Sequence, residues 1–181
     1  MLFKSKYRTE SNRLQDWDYS TPWWYFVTIW TKNFKCWFCK IKNSIMILNK
    51  IGKIVEEEWI KTEEIRINVD IDYYTIMPNH FHGILIIKDV ETSRRDVSQI
   101  KETDHRPVST NLKPDSLSSI VGQFKSVCTK LIRKLGYENF KWQPRFYDHI
   151  IRNETDLRRI RTYIKSNPLK WELDEYYKSK T

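Results

Sequence analysis

The sequence predicts an α+β protein in which helices pack on a small antiparallel sheet. Three observations carry this. Apolar runs rich in β-branched and aromatic residues come in pairs, as strands do. Single stretches of helical periodicity separate the pairs, giving the order β-β-α-β-β-α-β-α. The 181 residues, 40% hydrophobic and 14% aromatic, suffice for one domain with a real core and are too few for two comfortable ones.

The elements follow in chain order. "PWWYFVTIWT" (22–31) is β-branched and aromatic and reads as a buried strand. "FKCWFCKI" (34–41) is expected to pair with it across Lys32-Asn33, and "SIMIL" to extend the unit. From Asn49 the pattern turns helical: Ile51, Ile54, Val55 and Trp59 share a face, which predicts a helix over about 49–63. In "IRINVDIDYYTIM" (65–77), Ile65, Ile67, Val69, Ile71 and Tyr73 alternate as a strand. Pro78-Asn79 breaks it, and "HFHGILII" (80–87) returns antiparallel. Residues 88–115 are polar and aperiodic, too long for an ordinary connection, and read as a flexible insertion within the single domain 1–181. A second helix is expected over about 116–135, with Leu117, Ile120, Val121, Phe124, Cys128, Leu131 and Leu135 as its apolar stripe and Gly136 as its stop. "NFKWQPRFYDHII" (139–151) reads as mostly extended. A third helix starts at the N-cap Asn153 and runs toward Asn167-Pro168. The tail "EYYKSKT" is polar and is expected to fray.

Composition excludes several classes of function. Four glycines leave no glycine-rich phosphate loop. Three cysteines argue against a disulfide framework and fit a reducing, cytoplasmic setting. "CWFC" (36–39) has no second pair to complete a zinc site, so its thiols are expected to pack. No apolar run is long enough to span a membrane, and the N-terminus lacks a signal peptide's apolar core. The net charge is +9, and 12 basic against 4 acidic residues between Ser116 and Trp171 concentrate nearly all of it there. That placement suits a polyanion, with nucleic acid the first candidate.

Two of the four histidines sit in "MPNHFHGILII" (77–87). On a strand, His80 and His82 project to one face and Phe81 to the other. Together they can offer two nitrogen ligands to a metal ion, with a third ligand needed from elsewhere. An isolated pair at this spacing is more often held by hydrogen bonds alone. On the third helix, Leu157, Ile160 and Ile164 form the buried stripe; at about 100° per residue, Tyr163 and Asn167 fall one turn apart at its edge. Arg159 lies on the same side, one turn before Tyr163. Spacing alone favours a tyrosine that packs its ring there.

Taken together, "MPNHFHGILII" and "WQPRFYDHIIRNETDLRRIRTYIKSNPLKWEL" resemble the REP-associated tyrosine transposases, a branch of the HUH endonucleases in which Phe81 takes the bulky hydrophobic position. "WDYSTPWWYFVTIWTKN" and "LNKIGKIVEEEW" resemble that family's N-terminal half. The likeness covers about Arg13 to Leu173 and skips the insertion. It implies a ferredoxin-like sheet with the histidine pair on a central strand. It also implies a metal-dependent enzyme that nicks and joins single-stranded DNA at hairpins, with Tyr163 as nucleophile. On the same grounds His80, His82 and Asn167 would bind a divalent ion, Mg²⁺ or Mn²⁺. Only 13 residues follow Pro168, where such proteins usually carry a longer tail. The resemblance leaves the protein a monomer or a homodimer, with its tyrosine acting in cis or in trans. Arg145, Arg152 and Arg159, in the basic half, are the expected phosphate contacts. His149 is a general base by residue type only, and a structural histidine at a strand end is the better reading. The alternative is a non-enzymatic single-stranded DNA- or RNA-binding domain of the same fold. It accounts for charge and aromatics but not for the histidine pair with Tyr163 and Asn167.

Overall fold

The computed structural model describes Leu14 and residues 16–42, 45–89 and 113–173, together with the backbone of two short N-terminal strands, β1 (Leu2–Phe3) and β2 (Tyr7–Arg8). The remaining elements are β3 (Trp23–Trp30), β4 (Cys39–Lys42), β5 (Ile45–Leu48), α1 (Lys50–Glu64), β6 (Val69–Ile76), β7 (His80–Ile87), α2 (Leu117–Lys134), β8 (Tyr147–Ile150) and α3 (Glu154–Ser166). Most of the 88–115 insertion, and the polar tail, lie outside the described residues.

The main sheet is antiparallel, in the order β6-β7-β3-β8. α1 carries the chain from β3 to β6 past β7, and α2 carries it from β7 to β8 past β3. That is the ferredoxin-like arrangement, and it places the histidine strand β7 in the interior of the sheet.

Side-chain alternation divides the sheet into two faces. Tyr25, Val27 and Ile29 of β3 join Phe81, Leu85 and Ile87 of β7 in a core covered by α1 and α2, through Ile51, Val55, Trp59, Ile120, Val121, Phe124 and Cys128. The other face is covered by α3: Leu157, Ile160 and Ile164 pack on Phe26, Ile84 and Ile151. Gly83 is needed on the first face, because a Cβ there would lie 2.6 Å from the Trp59 ring and 2.8 Å from Phe81. No helix among the described residues is long and apolar enough to cross a membrane.

Five sequence expectations need correction. β4 pairs with β5, not with β3, because the chain between them turns away through a 3-10 turn at Lys32–Phe34 in which Asn33 and Phe34 adopt positive φ. β6 starts at Val69; Ile65 is the C-cap of α1, and both Ile65 and Ile67 are exposed. A register shift between Ile71 and Tyr74 resets the alternation, so Tyr73 packs toward α3 while Tyr74 stays with Phe81. Leu135 is exposed beyond α2, and Ile132 takes the buried place. Of the CxxC thiols only Cys39 packs, its Sγ donating to the Ile76 carbonyl at 3.2 Å; Cys36 is exposed.

Candidate active site

The start of β7 is pinned from β3. The backbone N–H and the hydroxyl of Thr31 both donate to the Asn79 carbonyl at 2.9 Å. His80 and His82 then emerge on the α3 side, their ring centroids 4.5 Å apart, both buried. Phe81 points the opposite way into the core, 4.6 Å from the Trp59 ring.

Each imidazole is oriented by a second residue. His80 Nδ1 lies 2.7 Å from Asn79 Oδ1. An amide oxygen only accepts, so Nδ1 carries the proton and Nε2 the lone pair. His82 Nδ1 lies 2.8 Å from the Thr28 hydroxyl, and its Nε2 faces the Tyr163 hydroxyl at 3.4 Å. Burial pushes the His80 pKa down to about 3. Burial, and secondly the neighbouring His80, hold His82 well below its ordinary value. Both rings are therefore neutral at physiological pH, the state in which imidazole offers a lone pair.

α3 brings the tyrosine to this pair. The Asn153 side chain accepts from the Asp156 N–H at 2.9 Å and caps the helix. The Leu157–Ile160–Ile164 stripe then seats it on the sheet, leaving Tyr163 at the stripe's edge, 47% exposed. The Tyr163 ring stands edge-on to Phe26 at 6.1 Å and to His82 at 5.2 Å. One turn on, Asn167 is buried, and beyond it Trp171 lies 6.1 Å from the His80 ring. Tyr163 thus touches one histidine and Trp171 the other, with Asn167 between them in the chain.

The chain is 37% identical over 168 residues to an uncharacterized protein of Haemophilus influenzae, covering 92% of each, and the two belong to one family. No protein-family model matches the chain. A solved structure of a REP-associated tyrosine transposase bound to a REP hairpin superposes over 92% of this chain and 77% of its own length, with a TM-score of 0.50 at 20% identity. The present chain has the REP-associated tyrosine transposase fold.

On this tyrosine-transposase fold the three arginines expected to meet phosphate stand apart. Arg159 is exposed on α3 and donates to Asp156 Oδ1 at 2.6 Å. Arg152 is exposed between β8 and α3, and Arg145 is exposed before β8 with φ 64°. His149 lies 2.7 Å from Asp156 Oδ2. Burial raises the Asp156 carboxyl, but the bonds from Arg159 and His149 outweigh it and hold it at about 2. His149 is therefore tied to the first turn of α3, as a structural histidine would be.

Among the described residues, no three His, Cys, Asp or Glu side chains gather as a metal site. The donor set can accept a divalent ion: two neutral imidazoles offer nitrogen, and the buried Asn167 would bind through Oδ1, because its side-chain nitrogen only donates and cannot hold a cation. Sequence reasoning missed the orienting residues Thr28 and Asn79 and the packing rings Phe26 and Trp171. Thr28 did leave a signal, as the one aliphatic hydroxyl in the run "YFVTIW".

Proposed function

We propose that the protein is a metal-dependent enzyme that nicks and rejoins single-stranded DNA, with Tyr163 as its nucleophile. The observation that carries this reading is the Tyr163 hydroxyl 3.4 Å from Nε2 of His82, one of two buried, neutral imidazoles on one strand. Arginine and lysine side chains along the basic half hold the strand through its phosphates. Tyr163 Oη then bonds to phosphorus as the bond to the 3′ oxygen breaks. The tyrosine proton leaves to solvent and the departing oxygen takes one up, giving a 5′-phosphotyrosine and a free 3′-OH. Attack by a 3′-OH reverses the step without an external energy source.

His80, His82 and Asn167 would hold a divalent ion, Mg²⁺ or Mn²⁺. When bound, it supplies positive charge to the phosphate's non-bridging oxygens. The Asn79 amide oxygen fixes the His80 tautomer with its Nε2 lone pair available, and the Thr28 hydroxyl orients the His82 ring. Phe26 stacks on the His82 ring at 5.5 Å and meets Tyr163 edge-on, which restricts both. Two nitrogen donors favour Mn²⁺ over Mg²⁺, which prefers oxygen. Activity is therefore expected at lower Mn²⁺ than Mg²⁺ concentrations.

The test is incubation with single-stranded hairpin oligonucleotides and Mn²⁺, followed by a denaturing gel. A protein band shifted by covalent DNA supports the reading. A cleaved strand with no attached protein points to hydrolysis by water. Binding without cleavage points to the non-enzymatic alternative.

A further inference from the structure

The CxxC pair, Cys36 and Cys39, takes no part in the site, yet the segment between its thiols holds the turn on which the site is built. Three donors from this segment bind the two carbonyls on either side of Met77. Cys39 Sγ donates to the Ile76 carbonyl at 3.2 Å, and the N–H groups of Trp37 and Phe38 donate to the Pro78 carbonyl at 2.7 and 3.2 Å. Pro78 leads directly into Asn79, whose Oδ1 orients His80. The carbonyl of Lys35, just before the pair, accepts from the Thr31 hydroxyl at 2.7 Å, the same hydroxyl that holds the Asn79 carbonyl.

The two thiols suit an exchange reaction. Neither is in a disulfide, and they differ in access: Cys36 is exposed and Cys39 is buried. Three fully extended residues would span about 10 Å, whereas a disulfide needs Cα atoms no more than about 7 Å apart. This segment is not extended. Consecutive N–H groups converge on one carbonyl, and the chain bends at Phe38. Burial first, and the neighbouring Cys36 second, push the Cys39 thiol up to about 12. Cys39 is therefore a protonated donor at neutral pH, and the exposed Cys36 is the first of the two to react.

We infer that Cys36 and Cys39 form a reversible disulfide that loosens the Pro78–His80 turn and silences the site. The effect on activity rests on the proposed reading of Tyr163 and the histidines. The oxidant is a low-molecular-weight disulfide. The Cys36 thiolate attacks one of its sulfurs, giving a mixed disulfide and releasing one thiolate. Cys39 then gives up its proton to solvent, and its sulfur attacks Cys36 Sγ and expels the second thiolate. Two protein thiols and one small disulfide become one protein disulfide and two small thiols, and an excess of thiol reverses the exchange.

Closing the bond consumes the Cys39 S–H, so the Ile76 carbonyl loses its donor. It also draws the two sulfurs together, which turns the Trp37 and Phe38 amides away from Pro78. The segment cannot yield toward α1. The Asn49 N–H and side-chain nitrogen grip the carbonyls of Phe38 and Trp37 at 3.0 and 2.8 Å, and the Phe38 carbonyl lies against Gly52, where no larger residue would fit. The displacement therefore falls on the Pro78 side.

The experiment incubates the full chain with glutathione disulfide. The readouts are peptide mass spectrometry, hydrogen exchange, and covalent adduct formation on a hairpin oligonucleotide with Mn²⁺. The wild type should lose two hydrogens from the peptide that carries Cys36 and Cys39, while the buried Cys128 stays a thiol. The Met77 N–H, bonded to the His80 carbonyl at 2.8 Å, should exchange at least about tenfold faster. Adduct formation should fall at least about tenfold, since a displacement of about 1 Å can cost about 10²-fold, and dithiothreitol should restore it. C36S, altered at an exposed position, should keep the reduced protein's activity and lose the response. C39S should stop at the mixed disulfide on Cys36; if it does not fold, C36S decides alone. An unmodified wild type, a mixed disulfide that goes no further, or a disulfide that leaves Met77 exchange unchanged would overturn the inference. If the reduced wild type forms no adduct, the enzymatic reading fails, and the mass and exchange readouts decide the disulfide by themselves. An adduct that oxidation leaves undiminished does the reverse: the enzymatic reading stands and the inference fails.

Discussion

Tyr163 and the histidines make separable predictions. Tyr163→Phe removes one oxygen and leaves the ring against Phe26 and His82. DNA affinity should stay within about twofold while the covalent band disappears, a loss of at least about 10³-fold. An undiminished band would assign the chemistry to another tyrosine, with the exposed Tyr147 the first to test. His80→Ala and His82→Ala should each abolish metal-dependent cleavage. Phe81→Leu, which alters only the opposite face, should keep cleavage while lowering the melting midpoint. Normal cleavage by either histidine variant would remove that residue from the metal site. The opposed directions of Phe81 and its neighbours were legible from period-two alternation alone. The hydroxyl–imidazole contact was not, because it joins positions 81 residues apart. Thr28 and His82 are likewise distant in sequence and meet only because β3 and β7 pair.

Individual elements were readable to the extent that one local signal dominated. β7 has the boundaries its alternation predicts, since Pro78-Asn79 fixes its start. α3 begins where Asn153 offers a cap. Replacing Asn153 with alanine should cost about 1 kcal/mol in a denaturant melt and reduce DNA affinity little. Gly83→Ala should cost more, about 1–3 kcal/mol, because the new methyl enters the space of the Trp59 ring. A variant as stable as the parent would show that the ring can move. Strand pairing was less legible than strand existence. Nothing in "FKCWFCKI" distinguishes a partner at β3 from one at β5. The turn that decides it puts Phe34 in a left-handed conformation that no phenylalanine advertises.

For the whole molecule, the buried histidines link stability to pH. Above about pH 6.5 both folded and unfolded chains carry them neutral, and their contribution is fully present. As pH falls below that value the unfolded chain gains protons that the folded chain refuses. Stability should then fall by up to about 1.4 kcal/mol per pH unit for each histidine, until pH approaches the folded value near 3 for His80. Urea midpoints at pH 7, 6 and 5, with a chelator present, would measure this; His82→Gln should flatten the dependence, and an unchanged slope would remove His82 as its source. The charge excess of the C-terminal half was legible, but its division between the two sides of the sheet was not, because α2 and α3 lie on opposite faces and carry comparable basic patterns. The polar insertion is proposed to be dispensable. Deleting residues 91–111 should preserve a single cooperative melt, since loop-closure entropy varies slowly with length; loss of that transition would make the segment structural.

The helix that carries Tyr163, the proposed nucleophile, comes after the β-α-β-β-α-β unit is already complete. Every strand of the main sheet keeps its partner if α3 lifts away. α3 is held by a patch of six buried side chains, by the Arg161–Asp72 and His149–Asp156 bridges, each at 2.7 Å, and by the Tyr163 ring against Phe26 and His82. Native-state hydrogen exchange should therefore find α3 opening at lower free energy than β7. The Tyr163 oxygen rides on the outermost layer while the histidines belong to the innermost strand pair. On the proposed mechanism, a DNA end attached to that oxygen would sit on an arm, free to lift and return to the same two imidazoles without any loosening of the sheet.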